Sequence, residues 1–257
     1  MTQTDGFATR GTSAPPIATR IAMWSGPRNI STALMRAWGN RPDTFVTDEP
    51  FYAHYLKQTG VEHPGADEVI AAHETDWRKV VAWLTGPVPE DRRIWYQKHM
   101  THHMLPGVSR DWFGQMRHAF LIREPREMLA SLLKKHPSAT LPETGLPQQL
   151  EIFEHVRRQT GVTPPVIDAK DVLLDPRGVL SRLCAALAVE FDESMLSWPA
   201  GRRATDGVWA KYWYENVERS TGFEPYRERN GTLPPEAEAL ARECERLYRV
   251  LADVRLR

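Results

Sequence analysis

Five short apolar runs, at residues 20–24, 44–47, 93–97, 118–122 and 165–168, constrain this chain more than any other feature. Each has the length of a strand, and several end on Gly, Pro or acidic turn residues. Helix-spaced stretches lie among them. Ile30, Ala33, Leu34, Ala37 and Trp38 share one helix face before Gly39 and Asn40 stop it. Residues 66–84 carry Val69, Ile70, Trp77, Val80, Val81 and Leu84 at the same period and predict one amphipathic helix. Further helices are expected over 126–135, 148–159 and 235–254. Asp175 and Pro176, a cap and a first-turn residue, open another that runs to Leu187. Strands alternating with helices build βαβ units. The expected fold is therefore α/β, three αβα layers around a mostly parallel sheet, with 19–257 as one domain and 1–18 as a flexible tail.

Charge narrows the partners. Lys and Arg number 33 and Asp and Glu 33, so no global field recruits nucleic acid or an anionic membrane. Any anion site must be local. Cys184 and Cys244 sit among apolar residues, which reads as reduced thiols. No run approaches the roughly 18 apolar residues of a membrane span. Residues 1–20 do not resemble a signal peptide, so a cytoplasmic location is expected. Residues 137–147 and 201–207 are the expected mobile loops.

Trp24-Ser25-Gly26-Pro27-Arg28-Asn29-Ile30-Ser31-Thr32-Ala33-Leu34 carries the most chemistry. A strand turns tightly into a helix, so successive backbone N–H groups and the positive end of the helix dipole converge on one spot. Ser31 and Thr32 add hydroxyls, and Arg28 adds a charge that can fork two oxygens. Such a loop holds a phosphate or sulfate; the plain alternative is a strand–helix turn with Ser31 as cap. The ATPase and GTPase form of the loop needs a Gly-Lys pair that is missing here, which disfavours a Mg·ATP hydrolase.

The loop instead resembles that of sulfotransferases using 3′-phosphoadenosine 5′-phosphosulfate, where a Pro-Lys/Arg-Ser-Gly-Thr-Thr segment holds the 5′-phosphosulfate. The same family ends a later strand on an Arg and places a Ser eight residues on; here these are Arg123, after Phe120-Leu121-Ile122, and Ser131. The resemblance implies a P-loop, nucleotide-kinase-like fold with Gly26, Pro27, Arg28, Asn29, Ile30, Ser31, Thr32, Arg123 and Ser131 around the co-substrate. It implies no metal requirement. Residues 166–173, with the helix opened by Asp175 and Pro176, resemble a structural segment of that family. Ile30 stands where relatives have Gly, which predicts a less adaptable loop. Arg28 stands where many have Lys. The Arg-Lys-Gly segment that grips the 3′-phosphate in many relatives has its nearest counterpart at 206–211.

Sulfuryl transfer needs a base for the acceptor and positive groups on the transferring oxygens. Glu49, after the second run, resembles the glutamate that several branches use, with a surface acidic turn as the plain alternative. Lys98 aligns with the lysine of a Lys-x-His segment, and His99, His102 and His103 are rival bases. His99 and His103 would share a face if helical, which admits a metal reading without a third ligand. The expected machinery is Glu49 as base, Lys98 and Arg28 on the developing charge, and His99 as rival. The run from Trp209 to Tyr214 either lines an acceptor pocket or packs a helix.

The leading expectation is thus a sulfotransferase acting on a small hydroxyl or amine acceptor. A magnesium-dependent kinase, with Asp48 as its carboxylate, and a non-catalytic nucleotide-binding module are the alternatives.

Overall fold

The strand that organises the sheet is the one without a polar face. Ile21, Ala22, Met23 and Trp24 are all fully buried, as a strand covered by helices on both sides must be. In the computed structural model residues 18–228 and 232–257 are described, so the expected tail falls, but for its last residue, outside the described residues. Strands β1 (Thr19–Ser25), β2 (Thr44–Asp48), β3 (Ile94–Met100), β4 (Arg117–Ile122) and β5 (Val166–Asp168) pair in parallel throughout, in the order β2-β3-β1-β4-β5. The chain leaves β1 for the β2 edge, returns to β3, then crosses to β4 on the other side. That reversal at β1 opens a crevice beyond the carboxyl ends of the strands, where ligands of open α/β sheets bind.

The alternation of β1 side chains defines the layers. Ile21 and Met23 pack with Leu34, Met35 and Trp38 of helix α1 (Ser31–Gly39), and Ala22 and Trp24 pack on the opposite face. Helix α2 (Tyr52–Thr59), helix α3 (Ala66–Ala72) and helix α4 (Trp77–Leu84) follow β2. Helix α5 (Pro125–Leu132) follows β4, and helix α6 (Leu146–Thr160) lays Ile152, Phe153 and Val156 on the Trp24 face. Helix α7 (Ala169–Leu174) and helix α8 (Pro176–Ala186) follow β5. Short helices α9 (Ala210–Trp213) and α10 (Glu215–Arg219) precede helix α11 (Glu238–Ala252), which covers α5 through Ala241 and Cys244. Each fully buried large apolar side chain in these layers contributes about 1.5–3 kcal/mol.

Residues 66–84 form two helices rather than one. Glu74 Oε1 accepts the backbone N–H groups of Thr75 and Asp76, and Asp76 accepts that of Arg78, so polar side chains outcompete the helix at 73–76. Helices α2 and α7 fall where sequence reading assigned none. The Asp175 cap is as expected, with its carboxylate accepting Gly178 N–H at 2.9 Å. The 137–147 segment is firmly packed at its end: Thr144 is buried, and Thr101 Oγ1 donates to Gly145 O at 2.7 Å. A Cβ on Gly26 would lie 2.6 Å from Thr144 O, so the turn after β1 requires glycine.

Candidate active site

The turn from β1 into α1 is braced from three directions. Asn29 Nδ2 donates to Leu121 O of β4 at 3.2 Å, while its Oδ1 accepts Ile30 N–H at 2.9 Å. Arg28 takes the left-handed conformation, φ 56°, and its carbonyl accepts Arg123 Nη1 at 2.6 Å. Arg28 Nε donates to Ser131 Oγ of α5 at 3.0 Å. Ile30 has φ −90°, an ordinary conformation, so the missing glycine imposes no strain there. Ser31 is not the cap. It is the first residue of α1, behind an Ile30 cap that makes no side-chain hydrogen bond, so no side chain caps the first-turn N–H groups.

Residues 27–33, Arg123 and Ser131 line one cavity of about 540 Å³. Gly26 supports it from behind. Arg123 Nη2 also holds Glu127 Oε2 at 3.0 Å, and Glu127 Oε1 accepts the Tyr226 hydroxyl at 2.6 Å. The cavity thus has a wall with two arginines, a serine and an uncapped helix start, which is chemistry for phosphate or sulfate oxygens.

Glu49 and Lys98 line the same cavity. Parallel pairing sets Asp48 of β2 opposite Lys98 of β3, and Glu49 N–H donates to Lys98 O at 2.9 Å. Glu49 has φ 40°, which turns the chain sharply out of β2. The Lys98 ammonium is buried between Asp48 Oδ1 at 2.8 Å, Tyr214 Oη at 3.0 Å and Glu49 Oε1. Burial alone would lower the Lys98 pKa; the Asp48 and Glu49 carboxylates outweigh it and hold the group well above its ordinary value. Burial raises the Glu49 pKa against the pull of Lys98, and Asp48 adds to the rise.

The histidines separate. His99 is the next residue along β3 and therefore points to the opposite face, where its ring stacks on Trp24 at 4.5 Å. It does not line the cavity, and burial pushes its pKa down to about 3. This placement does not fit His99 as a rival base. It also undoes the shared face expected of His99 and His103, because the stretch is a strand to Met100 and then a single turn. His102 and His103 do line the cavity. Burial takes His102 to about 3 and His103 well below its usual range, so both are neutral near pH 7. Among the described residues, no group of three or more His, Cys, Asp or Glu side chains is arranged to hold a metal ion.

Residues 206–211 do not reach the cavity. Asp206 forms a buried bidentate pair with Arg36 at 2.5 and 2.7 Å, Trp209 is core, and Lys211 pairs with Glu68 at the surface. The lining from the C-terminal third comes instead from residues between Trp213 and Arg227, Tyr214 and Tyr226 among them. Of the aromatic run, Trp213 and Tyr214 line the cavity while Trp209 packs in the core. Sequence reasoning missed Asp48 as a partner of Lys98, Tyr214 as its second anchor, and Tyr52, Tyr55 and His63 on the lining. Tyr52, Tyr55 and Leu56 at helical spacing were the available signal for α2.

A parallel sheet of order 2-3-1-4-5 with a tight strand–helix turn leaving its central strand defines a P-loop-type α/β domain. The sulfotransferase domain family matches residues 19–249, and the chain belongs to that family, one of transferase enzymes. Two curated relatives in Arabidopsis thaliana, branched-chain-amino-acid aminotransferase-like proteins 2 and 1, are 38% and 39% identical over 232 residues. The match covers 90% of this chain but 41% of either relative, so the chain spans less than half their length. Among solved structures, the sulfotransferase domain from the curacin biosynthetic pathway superposes with TM-score 0.57 at 16% identity, over 91% of this chain and 98% of that one. The sulfotransferase domain of the Synechococcus PCC 7002 olefin synthase also gives 0.57, at 18% identity over 96% and 98%. Both share the fold. No helix among the described residues is long and apolar enough to cross a membrane.

Proposed function

We propose that the chain moves a sulfuryl group from 3′-phosphoadenosine 5′-phosphosulfate to the hydroxyl or amine of a small acceptor, in line and without a metal requirement, in the cytoplasm. One observation carries this reading. Arg28, Arg123 and Ser131, from three separate elements, meet on the lining of a cavity that Glu49 and Lys98 also line. The residues present fit the donor: the start of α1 with Arg28 suits its 5′ end, and Arg123 with Ser131 suits its 3′-phosphate. Arg227 is the cation from the C-terminal third that we assign to the same phosphate.

When bound, the phosphosulfate supplies an activated sulfuryl group. Arg28, Ser31 and Thr32 orient its anionic end, Glu49 takes the acceptor proton, and Lys98 supplies positive charge beside the reacting oxygens. The kinase alternative loses its carboxylate. Asp48 does not line the cavity, and its oxygens are taken by Lys98, the Tyr214 hydroxyl and Gly207 N–H.

Calorimetric titration tests the reading with adenosine 3′,5′-bisphosphate, ADP and ATP–magnesium, on wild type and Arg123→Ala. Metal-independent binding of the bisphosphate that Arg123→Ala weakens by roughly 30- to 150-fold is the expected result. Preference for ATP–magnesium with no response to the 3′-phosphate would overturn it.

A further inference from the structure

Lys98 has no hydrogen-bonding capacity to spare. An ammonium offers three N–H donors, and Asp48, Tyr214 and Glu49 accept all three. Asp48 is held as fully: its second oxygen accepts the Tyr214 hydroxyl at 2.6 Å and Gly207 N–H at 3.4 Å. The side chains of Lys98 and Asp48 are each 1% exposed, against 13% for Glu49. Glu49 lines the cavity and Asp48 lies behind it. Two carboxylates thus share one ammonium. The cluster carries a net negative charge while Glu49 is ionised and becomes neutral when Glu49 gains a proton.

We propose that Asp48 is a positioning residue for proton transfer: by holding Lys98 from behind, it keeps the ammonium from neutralising Glu49 and leaves that carboxylate able to take the acceptor proton. This rests on Glu49 being the base. The other groups facing Glu49 do not compete. His103 Nδ1, from the turn after β3, is 4.0 Å away and neutral, and burial holds the hydroxyls of Tyr52 on α2 and of Tyr214 above their ordinary pKa, hence protonated. Lys98 on β3 and Asp48 on β2 are therefore the charges that set its behaviour; burial is the main cause that raises the Glu49 pKa, Lys98 pulls it down and Asp48 adds to the rise.

The arrangement also couples two events. As the acceptor lone pair forms its bond to sulfur, the acceptor proton passes to Glu49 Oε. The bond from sulfur to the 5′-phosphate oxygen breaks, and its electron pair stays on that oxygen. Neutral Glu49 releases its hold on one Lys98 N–H, which is then free for the oxygen gaining charge. Lys98 is withheld before proton transfer and supplied after it.

The test is an infrared titration of the full chain, isolating Glu49 as the carboxyl band that disappears in Glu49→Gln. Asp48→Asn should lower the Glu49 midpoint by about one pH unit or more, since Lys98 then pairs with Glu49 alone. Lys98→Met should raise it. Opposite shifts are the expected result, and a purely structural role for Asp48 would not produce them. If Asp48→Asn does not fold, the Lys98→Met shift and the double variant Asp48→Asn/Lys98→Met carry the test, the double falling below Lys98→Met by less than about one unit, because only the direct repulsion between Asp48 and Glu49 is then left to remove. An unchanged midpoint in Asp48→Asn, or shifts of one sign in the two single variants, would overturn the proposal. The titration needs neither donor nor acceptor, so its failure is distinct from failure of the bisphosphate to bind.

Discussion

Arg28 and Ser131 are 103 residues apart in the chain, and the Nε of one donates to the Oγ of the other at 3.0 Å. The contact ties the anion loop after β1 to the helix after β4. Arg123, whose Nη1 donates to the Arg28 carbonyl, ties the same loop to the end of β4.

Removing these ties separately should rank them. Ser131→Ala leaves Arg28 without one acceptor and should weaken adenosine 3′,5′-bisphosphate binding by about 1 kcal/mol, roughly fivefold. Arg123→Ala removes a charged group and should cost about 2–3 kcal/mol. Calorimetry reads both, and equal losses would argue against Arg123 as the main phosphate contact.

Glu49→Gln should separate binding from turnover. The amide keeps the shape of the side chain but cannot take a proton, so release of bisphosphate from the phosphosulfate donor should fall by about 10²–10⁴-fold. Bisphosphate affinity should change little. A variant with normal turnover would remove Glu49 from the role of base.

The pH dependence of turnover follows from the direction of the Glu49 shift. Its carboxyl sits above the ordinary 4.5, so the unprotonated base is lost as pH falls through that raised value. The acid limb should therefore lie higher than for an exposed glutamate. Substituting His102 should not move it, because that imidazole titrates near 3 and stays neutral throughout.

Stability should fall in mild acid. Burial lowers the pKa of His99 and His102 to about 3 and of His118 to about 4, and holds that of His103 well below the ordinary 6.5. A depressed imidazole contributes stability that is present above 6.5 and is lost as pH falls toward the folded value, because the unfolded chain binds the protons first. Urea denaturation at pH 7 and pH 5 should show a marked loss. An unchanged midpoint would contradict the burial of these rings.

Gly26→Ala should destabilise the chain by about 1–3 kcal/mol, since its Cβ would meet Thr144 O at 2.6 Å and a backbone carbonyl cannot swing aside. Gly107→Ala, with no atom within 4 Å of its Cβ, is the control and should be close to neutral. Thermal melts of the two variants distinguish them.

Local chemistry was readable along the chain. Strand and helix periods placed all five strands, because a half-period or a turn of helix is a property of neighbours in sequence. The turn from strand to helix over 25–31 was legible for the same reason. Residues 66–84 misled, since the hydrophobic period continues across a break made by Glu74 and Asp76 side chains. What lies across the sheet was not readable. Parallel pairing decided that Lys98 meets Asp48 and that His99, one residue on, faces away from the cavity. Packing of the C-terminal third decided that Tyr214 completes the Lys98 cluster and that Tyr226 and Arg227, rather than 206–211, reach the cavity. Those contacts join residues more than a hundred positions apart, and only the folded sheet brings them within hydrogen-bond reach.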